Sequence, residues 1–263
     1  MTSFPSAGTT IGVFDSGVGG LTVVRALRQR CPNSRIIYLG DTARVPYGTK
    51  SAKVVERYAV KCAGFLAERG ATQLVIACNT ASAYALPRLE DQFDLPVLGM
   101  VAPGAAAACS ETQNGRVGVI ATEGTIASGS YQAALRSARA DLKIFTGACP
   151  LFVPLAEEGF SEHPAARLIA EDYLRRLIDH DIDTLVLGCT HYPILAPLIR
   201  SITGPRVRLI DSGEAAAAVL TAESPSATAG EWQFYATDVS ERVHRVGSAF
   251  LGEALPRVEL VDL

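Results

Sequence analysis

The chain has 263 residues, 48% of them hydrophobic, enough for one large α/β unit or two domains of ordinary size. A formal charge of −3 leaves no general basic face for nucleic acid, and no run reaches the roughly 18 to 20 apolar residues that span a bilayer. Met1 to Thr10 has neither a basic start nor an apolar signal core, so a cytoplasmic protein is expected, with no membrane and no nucleic acid among its partners.

A strand predicted at Thr10–Phe14 leads into a helical stripe of Leu21, Val24, Leu27 and Cys31. A strand at Ile36–Leu39 precedes a second stripe, Val54, Tyr58, Cys62 and Phe65. Strands follow at Leu74–Ala77, Val97–Met100, Val117–Ala121 and Lys143–Thr146, then a third stripe of Leu168 or Ile169 with Tyr173, Leu177 and Ile178. The last strands fall at Thr184–Leu187, Val207–Ile210 and Gln233–Ala236, with a small, polar, Pro-containing linker at Thr221–Gly230 between the final two. Most of these runs are continuously apolar rather than alternating, as strands covered on both faces are. Strands that alternate with helices predict parallel α/β sheets.

The motif order points to an internal duplication. Ile11-Gly-Val-Phe-Asp15-Ser16-Gly17 is similar to Val117-Gly-Val-Ile-Ala-Thr122-Glu-Gly124, and Leu74-Val-Ile-Ala-Cys78-Asn79-Thr80 to Leu185-Val-Leu-Gly-Cys189-Thr190-His191, at offsets of 106 and 111 residues. That period is one domain long, not a solenoid repeat. The expected architecture is two pseudo-symmetric parallel-sheet α/β domains facing each other across a cleft. The first comprises residues 1–97 with 208–263, the returning C-terminal segment completing it, and the second residues 98–207.

Each chemically interesting segment falls just past the C-terminal end of a predicted strand, where open α/β sheets place ligands. Asp15-Ser16-Gly17-Val18-Gly19-Gly20 is a glycine-rich turn opening a helix; its backbone N–H groups suit an anion, although taken alone it is also an ordinary βα turn. Asp41-Thr42-Ala43-Arg44-Val45-Pro46-Tyr47-Gly48 sets an aromatic and a bare backbone after a turn. Cys78-Asn79-Thr80 and Cys189-Thr190-His191-Tyr192-Pro193 each put a thiol at a strand end, followed by hydroxyl, amide or imidazole groups.

Of six cysteines, none forms a CxxC pair, and a free cysteine is most often a small buried hydrophobe. Cys78 and Cys189 differ because they occupy equivalent positions of the two halves. Core packing alone does not ask for Asn, Thr and His after them. A thiol at a helix start is a usable base. Three chemistries are open to such a pair with His191 nearby: a metal site, for which Cys-x-His is an unusual spacing; a disulfide switch; or two opposed bases, one on each face of a substrate carbon. The pseudo-symmetry favours the third, since a racemase meets two mirror-image substrates. No metal site is expected.

FDSGVGGL, DTARVPYG, ACNTA and LGCTHYP, in this order and at these spacings, resemble the cofactor-independent aspartate/glutamate racemase family, in particular the glutamate racemases of bacterial peptidoglycan synthesis, which support cell-wall biogenesis and cell shape. The resemblance runs from about residue 11 to 215. It implies an isomerase that needs no pyridoxal phosphate, has glutamate as its small-molecule substrate and forms a homodimer. Cys78 would take the α-proton of the D enantiomer and Cys189 that of the L enantiomer, assisted by Asp15 and His191. Asp41 is a lesser candidate. A glutamate of Pro154-Leu-Ala-Glu-Glu-Gly159 belongs to the family's site, and Glu157 is preferred to the adjacent Glu158. Ser16, Tyr47, Gly48, Asn79, Thr80, Thr122 and Thr190 would hold the substrate, with Asp15, Asp41 and His191.

The residues support a cofactor-free reading independently. Most racemases acidify the α-carbon through a pyridoxal Schiff base on a lysine. The four lysines here are Lys50, Lys53 and Lys61 in one surface helix and Lys143 at the start of a strand, none at a strand's C-terminal end. A carbanion must then be stabilised by preorganised donors, each worth about 3 to 4 kcal/mol of barrier. Alternatives at this stage are a racemase of aspartate or a hydantoin, a two-lobed binding protein, and a racemase homologue with a regulatory protein partner.

Overall fold

The computed structural model describes residues 9–220 and 230–263, so nearly all of the expected linker Thr221–Gly230 and the start of the chain lie outside the described residues. The first half runs β1 (Thr10–Asp15), α1 (Leu21–Arg30), β2 (Arg35–Gly40), α2 (Ala52–Glu68), β3 (Gln73–Ile76), α3 (Asn79–Gln92) and β4 (Val97–Gly99). The second runs α4 (Val101–Glu111), β5 (Arg116–Ala121), α5 (Glu123–Ala127), α6 (Ser130–Ala138), β6 (Lys143–Ala148), α7 (Phe152–Glu157), α8 (Pro164–Ile178), β7 (Thr184–Gly188), α9 (Ala196–Thr203) and β8 (Arg208–Asp211). Then come α10 (Ser212–Val219), β9 (Trp232–Ala236), α11 (Glu241–Leu251) and β10 (Val258–Leu260).

The strands form two sheets, ordered β10-β9-β2-β1-β3-β4 and β6-β5-β7-β8, and every pairing is parallel. The order β2-β1-β3-β4 of one sheet is repeated as β6-β5-β7-β8 in the other, so the duplication read from the motifs is a duplication of topology. Parallel neighbours need a crossover, which here is helical and covers the sheet faces. The central strands are accordingly buried throughout: Val13 and Phe14 of β1, and Val119 and Ile120 of β5, expose nothing. Because β3 and β7 hold the same place beside β1 and β5, the residues that follow them, Cys78 and Cys189, leave their sheets at equivalent points. Among the described residues no helix is long and apolar enough to cross a membrane.

All nine expected strands are present, and three details differ. β10 was not expected: it is a short edge strand, Val-Glu-Leu, whose middle residue is charged. The sheets change hands later than the expected breaks at 97/98 and 207/208, since β4 still pairs with β3 and β8 pairs with β7. Parallel pairing decides membership there, and a short apolar run says nothing about its partner. The helical stripes hold in part: Leu21, Val24, Leu27 and Cys31 of the first, Cys62 and Phe65 of the second and Leu177 of the third are buried as expected. α2 buries Val55 and Ala59 in place of Val54 and Tyr58, while α8 buries Ala166, Ala170 and Leu174, keeps Ile169, Tyr173 and Ile178 half-buried against the core and leaves Leu168 exposed. In both helices alanines face the sheet, where small side chains permit close approach.

Candidate active site

Four strand ends build the site. After β1 the chain turns through Ser16–Gly20. After β3, Cys78 caps α3, its Sγ accepting the Ala81 N–H at 3.5 Å. After β5, Thr122 caps α5 through the Thr125 N–H at 3.4 Å. After β7 come Cys189, Thr190 and His191, followed by a 3-10 turn at Tyr192–Leu195. These ends converge on a cleft of about 180 Å³ between the two sheets.

Cys78, Cys189, Ser16, Tyr47, Gly48, Asn79, Thr80, Thr122, Glu157, Thr190 and His191 all line this cleft. Asp15 and Asp41 lie behind the cleft wall and are not among the residues that line it. Both carboxylates are fully buried. Asp15 turns under its own loop, Oδ2 accepting the Gly17 N–H at 3.0 Å, and lies close enough to Cys78 and His191 for its charge to act on both. Asp41 accepts from Arg44 Nε at 2.8 Å, from Thr237 Oγ1 at 2.9 Å and from the Tyr47 hydroxyl. Its lone pairs are committed to holding Tyr47, whose ring forms part of the wall. Of the adjacent glutamates, Glu157 faces inward and meets His191, whereas Glu158 pairs outward with Arg242.

Two glycines explain how closely the halves approach. A Cβ on Gly19 would come within 2.3 Å of Thr190 Oγ1 and 2.5 Å of His191, so the first glycine-rich turn packs directly on the second cysteine loop. A Cβ on Gly48 would meet Thr122 at 2.8 Å, which brings the Pro46-Tyr47-Gly48 turn against the opposite half. Thr80, Thr122 and Thr125 then join hydroxyls across that seam at 2.9 to 3.0 Å. Asn79 is fixed the same way, with Tyr131 donating to its Oδ1 at 2.7 Å and its Nδ2 donating to Ser212 at 3.2 Å. Sequence reasoning missed Thr125, Tyr131 and Ser212. The capping spacing Thr122-x-x-Thr125 was a signal for the first; the other two act from distant elements and gave none.

The two thiols have unlike surroundings. Burial and the nearby Asp15 carboxylate push the Cys78 thiol up to about 12, with the Ala81 N–H and Ser16 opposing; its Sγ lies 3.6 Å from Ser16 Oγ. Cys189 Sγ lies 3.9 Å from His191 Nδ1, and His191 Nε2 lies 2.9 Å from Glu157 Oε1. Burial works against a charged His191, but hydrogen bonds to Cys189 and Glu157 and the Asp15 charge outweigh it and raise the imidazole to about 10. Glu157 is held down at about 2 by His191, burial opposing and Arg242 assisting. One side of the cleft therefore sets a thiol whose ionisation burial and Asp15 oppose, and the other sets Cys189 beside the His191–Glu157 pair. None of the four lysines lines the cleft, and among the described residues no group of His, Cys, Asp and Glu could hold a metal ion.

A cleft between two matching sheets, with a thiol at the same strand end of each, is the layout of an enzyme that addresses both faces of one small substrate. The chain belongs to the Asp/Glu/hydantoin racemase family, whose model matches residues 16–220. It is 46% identical over 268 residues to the glutamate racemase of Chlorobaculum tepidum, covering 98% of each chain. Among solved structures it is similar to glutamate racemase isoform RacE1 from Bacillus anthracis, with a TM-score of 0.91, 35% identity, and coverage of 97% of this chain and 98% of that one. The Francisella tularensis glutamate racemase solved in complex with D-glutamate matches with a TM-score of 0.88 and 36% identity over 97% of each chain.

Proposed function

We propose that this protein is an isomerase that interconverts L- and D-glutamate by cofactor-independent, two-base transfer of the α-proton, and that its D-glutamate serves peptidoglycan synthesis. The observation that carries the reading is the pair Cys78 and Cys189, equivalent in the two halves, lining one cleft and differing in charge environment. Two-base transfer needs one thiolate and one thiol at the start. Burial and Asp15 oppose ionisation of Cys78, while His191 Nδ1, 3.9 Å from Cys189 Sγ, is placed to take the Cys189 proton, so the enantiomer whose α-hydrogen faces Cys189, the L form, is the one this side accepts. Proton delivery from Cys78 to the opposite face completes the inversion, and the reverse sequence serves D-glutamate.

The carbanion lies at a carbon of very low acidity, and fixed donors around its carboxylate are the means to stabilise it. Backbone N–H groups of the Ser16 and Thr190 turns, with Ser16, Asn79 and Thr190 side chains, take the α-carboxylate and ammonium. Tyr47, Gly48, Thr80 and Thr122 face the rest of the substrate. The similarity to proteins named glutamate racemase, one of them holding D-glutamate, supports this substrate. The same reading places the enzyme in the cytoplasm as a homodimer, which light scattering of the purified protein tests.

The deciding experiment incubates the protein with L-glutamate in D₂O, without pyridoxal phosphate, and follows optical rotation with the α-proton NMR signal. Loss of both is expected. Turnover of aspartate with none of glutamate overturns the substrate, and inertness toward both overturns the enzyme reading in favour of a binding protein.

A further inference from the structure

α11 carries an arginine whose partners reach into the proton-transfer chain. Arg242 Nη2 donates to Glu157 Oε2 at 2.8 Å, and Nη1 donates to Glu158 Oε1. With its other oxygen Glu157 holds His191 Nε2 at 2.9 Å, and His191 Nδ1 stands 3.9 Å from Cys189 Sγ. From the same helix the buried ring of Phe250 meets the imidazole edge-on, with centroids 5.1 Å apart. α11 packs on α1, beside the first sheet, whereas Glu157, His191 and Cys189 follow strands of the second. One half thus grips the cysteine–histidine pair of the other at two points. The helix also lies beyond residues 16–220, the segment the family model matches.

We infer that Arg242 is a positioning residue for proton transfer at Cys189, a latch across the cleft that keeps Glu157 turned onto His191. The inference rests on the functional reading above in taking Cys189 as an acid/base group. Glu157 is the last residue of α7 and Glu158 follows it, so two like charges sit side by side and both reach solvent. Left alone, they gain by turning apart into water. A planar guanidinium that binds both removes the repulsion and fixes the direction of Glu157.

The charged and titratable groups facing His191 are Glu157 from α7, Asp15 from the end of β1 and Cys189 from its own loop. Arg242 and Glu158 stand one residue further out, with Arg245 3.9 Å from Glu158. Removal of Arg242 frees Glu157 to leave the imidazole. His191 then loses the carboxylate that helps to keep it protonated beside Cys189.

The test compares wild type with Arg242→Met, Arg242→Lys and Arg245→Met. Side-chain NMR of labelled histidine gives the His191 titration without substrate, and the pH profile of kcat/KM for glutamate gives its functional counterpart. In Arg242→Met the His191 titration is expected to fall by about one pH unit or more. The limb of the rate profile that reports His191 moves with it, and kcat falls about tenfold with little change in KM. Arg242→Lys recovers part of each effect, and Arg245→Met, which touches only Glu158, behaves as wild type. An unmoved His191 titration in Arg242→Met overturns the inference, as does a moved titration with an unmoved rate profile. Wild type that racemises neither enantiomer overturns the functional reading itself, and the titration still decides whether Arg242 holds Glu157 in place.

Discussion

Replacing Glu157 with Gln tests the ion pair at the centre of the site. In the folded protein the hydrogen bond from His191 takes Glu157 from 4.5 to about 2, against burial and with help from Arg242. A carboxylate lowered on folding contributes stability that is complete above its unfolded value and is lost as pH falls through the folded one. The gap between 4.5 and about 2 corresponds to about 3 kcal/mol. At pH 3 the unfolded carboxyl is mostly protonated and the folded one mostly is not, which leaves about 1 kcal/mol. His191, raised from 6.5 to about 10 against burial by Cys189, Glu157 and Asp15 together, holds its side of the contact fully below 6.5 and loses it as pH rises through about 10. Cys189 and Asp15 share in raising His191 and Arg242 in lowering Glu157, so the two shifts overlap only in the His191–Glu157 contact and do not add. The stability difference between wild type and Glu157→Gln is therefore widest between pH 5 and 6.5, at about 3 kcal/mol, and shrinks on either side. Urea denaturation followed by circular dichroism at pH 6 and pH 3 measures it, urea being preferred because guanidinium screens ion pairs. A difference that is the same at both pH values, or below about 1 kcal/mol at pH 6, refutes the reasoning.

Cys78→Ala and Cys189→Ala are each expected to lower racemisation at least about a hundredfold by polarimetry; either variant keeping a tenth of wild-type two-way turnover defeats the two-base scheme. Asp15→Asn removes a buried charge that raises Cys78, so alkylation of Cys78 at pH 8, read by peptide mass spectrometry, should become faster. An unchanged rate denies Asp15 that role. Gly19→Ala drives a methyl to 2.3 Å from Thr190 Oγ1, at a cost of about 1 to 3 kcal/mol in urea melts and with a lower kcat. Asp41→Ala strands Arg44 and frees Tyr47; the expected loss is about 3 kcal/mol with a raised KM, and normal KM with normal stability counts against the anchoring role.

The strands were legible because a strand buried on both faces must be apolar at every position, a pattern that survives without knowledge of its neighbours. Cys78 and Cys189 were legible because the duplication set them at equivalent strand ends. What the sequence hid lies where geometry over short distances decides. Glu157 ends a six-residue helix, and one residue of rotation separates Glu157, which meets both His191 and Arg242, from Glu158, which meets only the arginines of α11. Asp15 and Asp41 follow strands as the cleft residues do, yet fold back beneath their loops, because each is claimed by local donors first. Arg242 sits on an exposed helix face where an arginine has no need of a function. The break between sheets at β8 depends on pairing with β7, a contact over more than twenty residues of chain.

A duplicated fold gives two thiols in mirrored positions, but a two-base reaction needs them in opposite protonation states, so the symmetry has to be broken beside the cysteines. The offsets locate the break. Asp15 of the first half corresponds to Ala121 of the second, and His191 of the second to Thr80 of the first. The first half thus adds a carboxylate below Cys78 and offers only a hydroxyl near it. The second omits the carboxylate and adds an imidazole, which Cys189 and Glu157 raise against burial. Asp15 also lies within reach of His191, so one buried charge disfavours ionisation of one thiol while favouring the protonated partner of the other. Under the two-base proposal, these two substitutions against a repeated backbone are what give equivalent cysteines unlike surroundings.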